Sequence, residues 1–180
     1  MKNQNTKKLA YAALFLALCL VLPMLTGQIP QIGSMLLPMH IPVLLCGLVC
    51  GWQYGAAVGF VAPLLRSVLF GMPPMYPVAI AMAFELLTYG LVIGLVYRRM
   101  AQKGAAGVYA ALLTAMVAGR LVWGVAEVVL LGLGGKAFTA QAFLAGALLN
   151  AVPGIIAQLV LIPAVMAALQ KAGAVKEYAE

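Results

Sequence analysis

Residues 107–132 read GVYAALLTAMVAGRLVWGVAEVVLLG. The stretch is long enough to cross the hydrocarbon core of a bilayer, which takes about 20 apolar residues. Yet it carries Arg120 and Glu127 in its second half. An ionised side chain at the centre of a membrane helix costs about 2.5–3.5 kcal/mol on the insertion scale. Two such residues in one span point to a polar interior rather than a surface facing lipid. They are seven positions apart, so they share a helix face about 10 Å from each other. Trp123 lies between them on roughly that face. The gap is too long for a direct ion pair and short enough for a small solute to bridge.

The rest of the 180-residue chain has the same character. It is 65% hydrophobic and only 8% charged, with a mean hydropathy of +1.07. A soluble domain carries about a quarter charged residues. The chain is therefore an all-α integral membrane protein, and its length is used up by membrane helices in a single domain over residues 1–180. Apolar runs bounded by Pro, Gly and polar residues predict a six-transmembrane-helix bundle, with helices roughly over 9–25, 36–51, 54–70, 77–98, 107–132 and 142–169. The connection Gly71-Met72-Pro73-Pro74-Met75-Tyr76-Pro77 cannot be regular helix, because Pro lacks the amide donor and restricts the residue before it. Lys7 and Lys8 precede the first apolar run as in a signal peptide, but no A-x-A-like site follows, so the run reads as a retained span.

The net charge of +7 reports topology, not nucleic-acid binding. With the N-terminus in the cytoplasm, the inner segments hold Lys2, Lys7, Lys8, Arg98, Arg99, Lys103, Lys171 and Lys176. The outer loops hold only Lys136. That bias places both termini in the cytoplasm, with the chain spanning the cell membrane. Depth follows from helix direction. Arg66 falls near the outer end of the third helix and Glu85 about two turns below the outer surface on the fourth. Arg120 falls near the middle of the fifth, with Glu127 above it. His40 falls in the outer end of the second helix and Asn150 in the outer half of the sixth. These polar groups share the outer half of the membrane. The inner halves are nearly pure Ala, Leu, Val and Gly.

Small residues recur every four positions, as where helix backbones approach closely. Gly47, Gly51, Gly55 and Gly59 do so across the second and third helices. Ala111, Ala115 and Gly119 do so on the fifth, Ala142, Gly146, Asn150 and Gly154 on the sixth, and Ala13 and Ala17 on the first.

The candidate substrate-binding residues are His40, Arg66, Tyr76, Glu85, Tyr89, Arg120, Trp123, Glu127 and Asn150. Glu85 and Tyr89 share a face of the fourth helix, and Asn150, Gly154 and Gln158 align on the sixth. A plainer reading is that Arg66 and Arg120 neutralise Glu85 and Glu127 as interhelical pairs. The two readings overlap, since such pairs can reorganise around a ligand. The loop Met72–Tyr76 reads either as a lid over the pocket or as simple loop packing. His40 is the one histidine of the chain, which makes a poor metal site. Cys19, Cys46 and Cys50 lie in apolar runs without C-x-x-C spacing and read as free, buried residues. No metal or other cofactor is expected in this chain.

Catalytic signatures are missing from the sequence. There is no G-x-x-x-x-G-K-[ST], so the chain is not its own P-loop ATPase. There is no Asp, no H-E-x-x-H and no G-x-S-x-G. The expectation is a binding protein and not an enzyme.

The layout resembles the substrate-binding S components of energy-coupling factor (ECF) vitamin transporters over almost the whole chain. The resemblance rests on Ala13-Leu14-Phe15-Leu16-Ala17, Leu37-Pro38-Met39-His40-Ile41-Pro42, Gly71-Met72-Pro73-Pro74 and Pro153-Gly154. It implies a vitamin pocket near the outer face, closed by loops. It implies partner contact through Ala13 and Ala17 with a membrane T component. It also implies two ATPase subunits, which would use the ATP that this chain cannot. Two Arg suit a carboxylate or phosphate, and Trp123, Tyr76 and Tyr89 suit a stacked ring. Pantothenate, riboflavin, a pterin and a pyridoxine-like compound all stay open, with a vitamin bearing an anionic or strongly hydrogen-bonding group favoured. The rival classes are a proton- or sodium-coupled secondary transporter, a small intramembrane enzyme and a purely structural assembly subunit.

Overall fold

The computed structural model describes residues 2–26, 35–100, 104–135, 137, 139–146, 150–173 and 175. The lysines at 103, 136 and 176, which enter the topology argument, and most of the 27–35 connection lie outside the described residues. Among the described residues every regular element is helical. Helix α1 (Lys2–Val21) tightens into a 3₁₀ turn over Leu22–Thr26, where Pro23 removes a helical donor. Helices α2 (His40–Cys50) and α3 (Trp52–Phe70) meet at Gly51, whose φ of 99° suits a residue without a Cβ. A wide turn over Met75–Ala79 leads into α4 (Ile80–Met100). Helices α5 (Ala105–Leu133), α6 (Ala140–Leu144) and α7 (Val152–Lys171) follow.

Among the described residues, five segments are long and apolar enough to cross a membrane: Gln4–Leu25, Trp52–Phe70, Met75–Met100, Ala105–Leu133 and Val152–Lys171. Helix α2 is different. Its 11 residues span about 16 Å, roughly half a hydrocarbon core. It is buried on almost every side, from His40 to Cys50, and touches α1, α3, α4 and α7. The segment predicted as helix over 36–51 thus becomes a short central helix that begins inside the bundle. Its first residue, His40, is only 1% exposed.

The segment predicted as one helix over 142–169 is also different. A short helix over Ala140–Leu144 is capped by the Thr139 hydroxyl, which accepts from the Ala142 amide at 3.2 Å. The long helix begins only at Val152, with Pro153 in its first turn, where the missing amide costs nothing.

The closest packing joins α2, α3 and α4. A Cβ on Gly47 would stand 2.8 Å from the Gly90 carbonyl oxygen. One on Gly55 would stand 2.7 Å from Gly47 Cα, and one on Gly94 would stand 2.6 Å from Trp52 Cα. None of these positions has room for a side chain, so the backbones meet directly. On α7 the residues Gly154, Gln158, Ile162 and Met166 form one buried stripe at four-residue spacing. Ile162 and Met166 join the main apolar core, which also holds Met39, Val43, Leu86, Tyr89 and Leu112.

Candidate functional site

Three ionisable side chains converge from three helices. Glu85 on α4 is 1% exposed. Its Oε1 lies 3.0 Å from Arg120 Nη1 on α5 and 3.3 Å from His40 Nε2 on α2. Neither contact has hydrogen-bond alignment. Glu85 Oε1, His40 Nε2 and Nδ1, and Arg120 Nε and Nη2 are all buried without a hydrogen-bond partner among the described residues. Helix geometry explains the meeting. The short α2 starts at His40, at the level where α4 presents Glu85. Gly119, beside Arg120, leaves space for the Tyr89 ring, since a Cβ there would sit 2.6 Å from Tyr89 Cδ2. The Tyr89 and His40 rings then meet edge to face at 5.1 Å and 83°.

Trp123 closes one side of this cluster. The Arg120 guanidinium stands 5.8 Å from its ring centre. Phe143 of α6 stacks on the same indole at 6.1 Å and 26°. Gly124 and Gly146 have no room for side chains against Phe143 and Trp123, respectively. Tyr76 arrives from the Gly71–Pro77 connection, where the Met72–Pro73 and Tyr76–Pro77 bonds are cis. Its hydroxyl donates to the Leu130 carbonyl near the end of α5. The connection is thereby tied across to the helix that carries Arg120 and Glu127.

The structure brings together His40, Glu85, Tyr89, Arg120 and Trp123. Glu127 is buried two turns further along α5, without an ion pair among the described residues. Two predicted residues are placed elsewhere. Arg66 is buried, but its Nη1 donates to the Leu20 carbonyl at the end of α1, and its guanidinium lies 5.2 Å from the Phe70 ring centre. It satisfies an orphan carbonyl of a helix terminus and pairs with no carboxylate among the described residues. Asn150 is exposed in the turn before α7 and is not part of a membrane helix. Ala13 and Ala17 are both exposed on α1, on the face opposite the buried Ala12, Phe15 and Cys19.

Gln158 belongs beside the predicted set. It is 1% exposed, and both of its amide atoms are buried without a hydrogen-bond partner among the described residues. One turn before it, Gly154 packs on the Met35 and Leu36 backbone, with Met35 O 2.6 Å from where a Cβ would be. That segment leads directly into His40. The signal was present in the sequence as an amide side chain one turn from a helix-packing glycine.

Membrane-spanning helices around a buried cluster of ionisable side chains describe a polytopic membrane protein. The chain matches the ECF transporter, substrate-specific component, over residues 7–172, and it belongs to that family. This is a family of transporter components and not an enzyme family. No curated protein and no solved structure matches the chain.

Proposed function

We propose that this chain captures a water-soluble vitamin or vitamin precursor at the outer face of a bacterial cell membrane. The solute is bound at His40, Glu85, Tyr89, Arg120 and Trp123, with Glu127 further along the same helix and Tyr76 in the covering loop. The observation that carries this reading is the buried cluster of polar atoms without partners. An unpaired buried polar group costs about 1–3 kcal/mol, and more when charged. A bound solute that supplies the missing hydrogen bonds offsets that cost.

In this reading α2 is the sixth membrane helix, short because it surrounds the site rather than crossing the bilayer alone, and both termini are cytoplasmic. Ala13 and Ala17 face outward and meet a membrane T component. Two ATPase subunits of that assembly use ATP to drive release inward. Mass spectrometry of small molecules released from gently purified protein tests the proposal. A stoichiometric vitamin-like solute is expected. An empty protein that also shows no thermal shift with a vitamin panel contradicts the reading.

One observation favours a second reading. Glu127 is buried in a membrane helix without a cation beside it among the described residues, which is a usual mark of a proton carrier. Uptake by this chain alone, abolished by an uncoupler, would select proton-coupled transport instead.

A further inference from the structure

We infer that the solute is an organic monocarboxylate that also carries an amide-type group, with Arg120 reading the carboxylate and Gln158 reading the amide. This rests on the solute-binding reading above and narrows its chemistry. Arg120 has three guanidinium nitrogens, and one of them is engaged. Nη1 faces Glu85 at 3.0 Å, while Nε and Nη2 are buried and unpartnered among the described residues. Those two atoms form the side edge of the guanidinium plane. Their parallel N–H bonds match the two oxygens of a carboxylate.

The end of α2 adds to the preference for negative charge. A helix N-terminus carries about half a positive charge. Here it begins inside the bundle at His40, and its first turn has neither an acidic residue nor a side-chain cap. A dianionic phosphate is a poorer match. Arg66, the other buried guanidinium, is engaged by the Leu20 carbonyl, and Glu85 and Glu127 oppose a second negative charge.

Gln158 supplies the other half. A carboxamide presents a donor and an acceptor side by side. Its complement is an amide, a cyclic amide or a ureide. Both of its polar atoms are buried without hydrogen-bond partners among the described residues. Its helix α7 packs against both α2 and α5, the helices that carry His40 and Arg120.

Calorimetric titration of the purified full-length chain tests the inference. The acids are pantothenate and biotin, and the comparison compounds are their methyl esters, with riboflavin, thiamin and pyridoxine. The expected result is tight binding of one acid, weakened at least about 100-fold by esterification, the scale of losing a buried charge-assisted pair. Arg120→Lys, which keeps the charge and loses the edge, is expected to weaken the acid at least about 10-fold. Gln158→Leu is expected to do the same while leaving the melting temperature of the ligand-free protein unchanged or higher, because it removes a buried unpaired amide. A merely structural Gln158 would lower it. Binding confined to riboflavin, thiamin or pyridoxine, or an ester that binds as well as its acid, overturns the inference and leaves the solute-binding reading standing. Binding of none of these compounds, with an empty purified protein, overturns both.

Discussion

The two ends of the α3–α4 pair are built by opposite rules. At one end Gly47, Gly55, Gly90 and Gly94 bring three helices into backbone contact, with no space left for a Cβ. At the other end His40, Glu85, Arg120 and Gln158 leave buried polar atoms without hydrogen bonds. Without a hydrophobic driving force between helices in lipid, close packing of small residues is the main source of cohesion. The polar end opposes it, since each unpaired buried group costs about 1–3 kcal/mol. The tight end therefore supports a polar end whose buried groups lack hydrogen bonds among the described residues, a division usual where function competes with stability, and in the proposed reading a bound solute supplies those bonds.

The comparison breaks hardest at Gly90. Gly90→Val places a branched side chain into the Gly55 backbone, where nothing can move aside. A loss above about 3 kcal/mol is expected, seen as failure to recover monodisperse protein in detergent. Glu85→Ala is next. It leaves Arg120 and His40 buried without their carboxylate, at a cost of about 3–5 kcal/mol. The double substitution Glu85→Leu/Arg120→Leu removes both charges and is expected to be neutral or stabilising. Thermal denaturation should therefore rank the double variant at or above the native chain, and Glu85→Ala well below.

Arg66→Met sharpens the boundary of the polar end. It removes the bond to Leu20 and the contact with the Phe70 ring, so a loss of about 1–3 kcal/mol is expected with unchanged solute affinity. A drop in affinity would return Arg66 to the pocket. Tyr76→Phe is smaller, about 0.5–1.5 kcal/mol, and should show as faster solute dissociation once the loop loses its tie to Leu130. Ala13→Leu and Ala17→Leu should barely alter stability, because both positions are exposed. Transport should stop in both while binding persists, and intact transport in either would remove the partner face.

Much of this division was legible in the sequence. The four-residue glycine spacing marked close helix approach, and the Pro-rich run marked the break before α4. The gathering of His40, Glu85, Arg120 and Trp123 followed from helix direction and depth. Arg66 shows why depth alone is insufficient. Level along the membrane normal does not fix the direction in which a side chain faces, and Arg66 faces the end of α1. Asn150 shows a second limit. Pro153 starts a helix rather than sitting inside one, so Asn150 and Ala151 fall in a turn. Gln158 was visible as a polar residue in an apolar stripe, but its burial depends on α7 packing against α2 and α5, which no local pattern encodes.

The central claim is that the His40–Glu85–Arg120 cluster holds the solute. Native mass spectrometry of the Glu85→Leu/Arg120→Leu variant beside the native chain tests it most directly, because this variant is expected to stay folded. The account predicts a one-to-one small-molecule adduct on the native chain and none on the variant, with equal or higher thermal stability. A variant that keeps the adduct at native occupancy would contradict it.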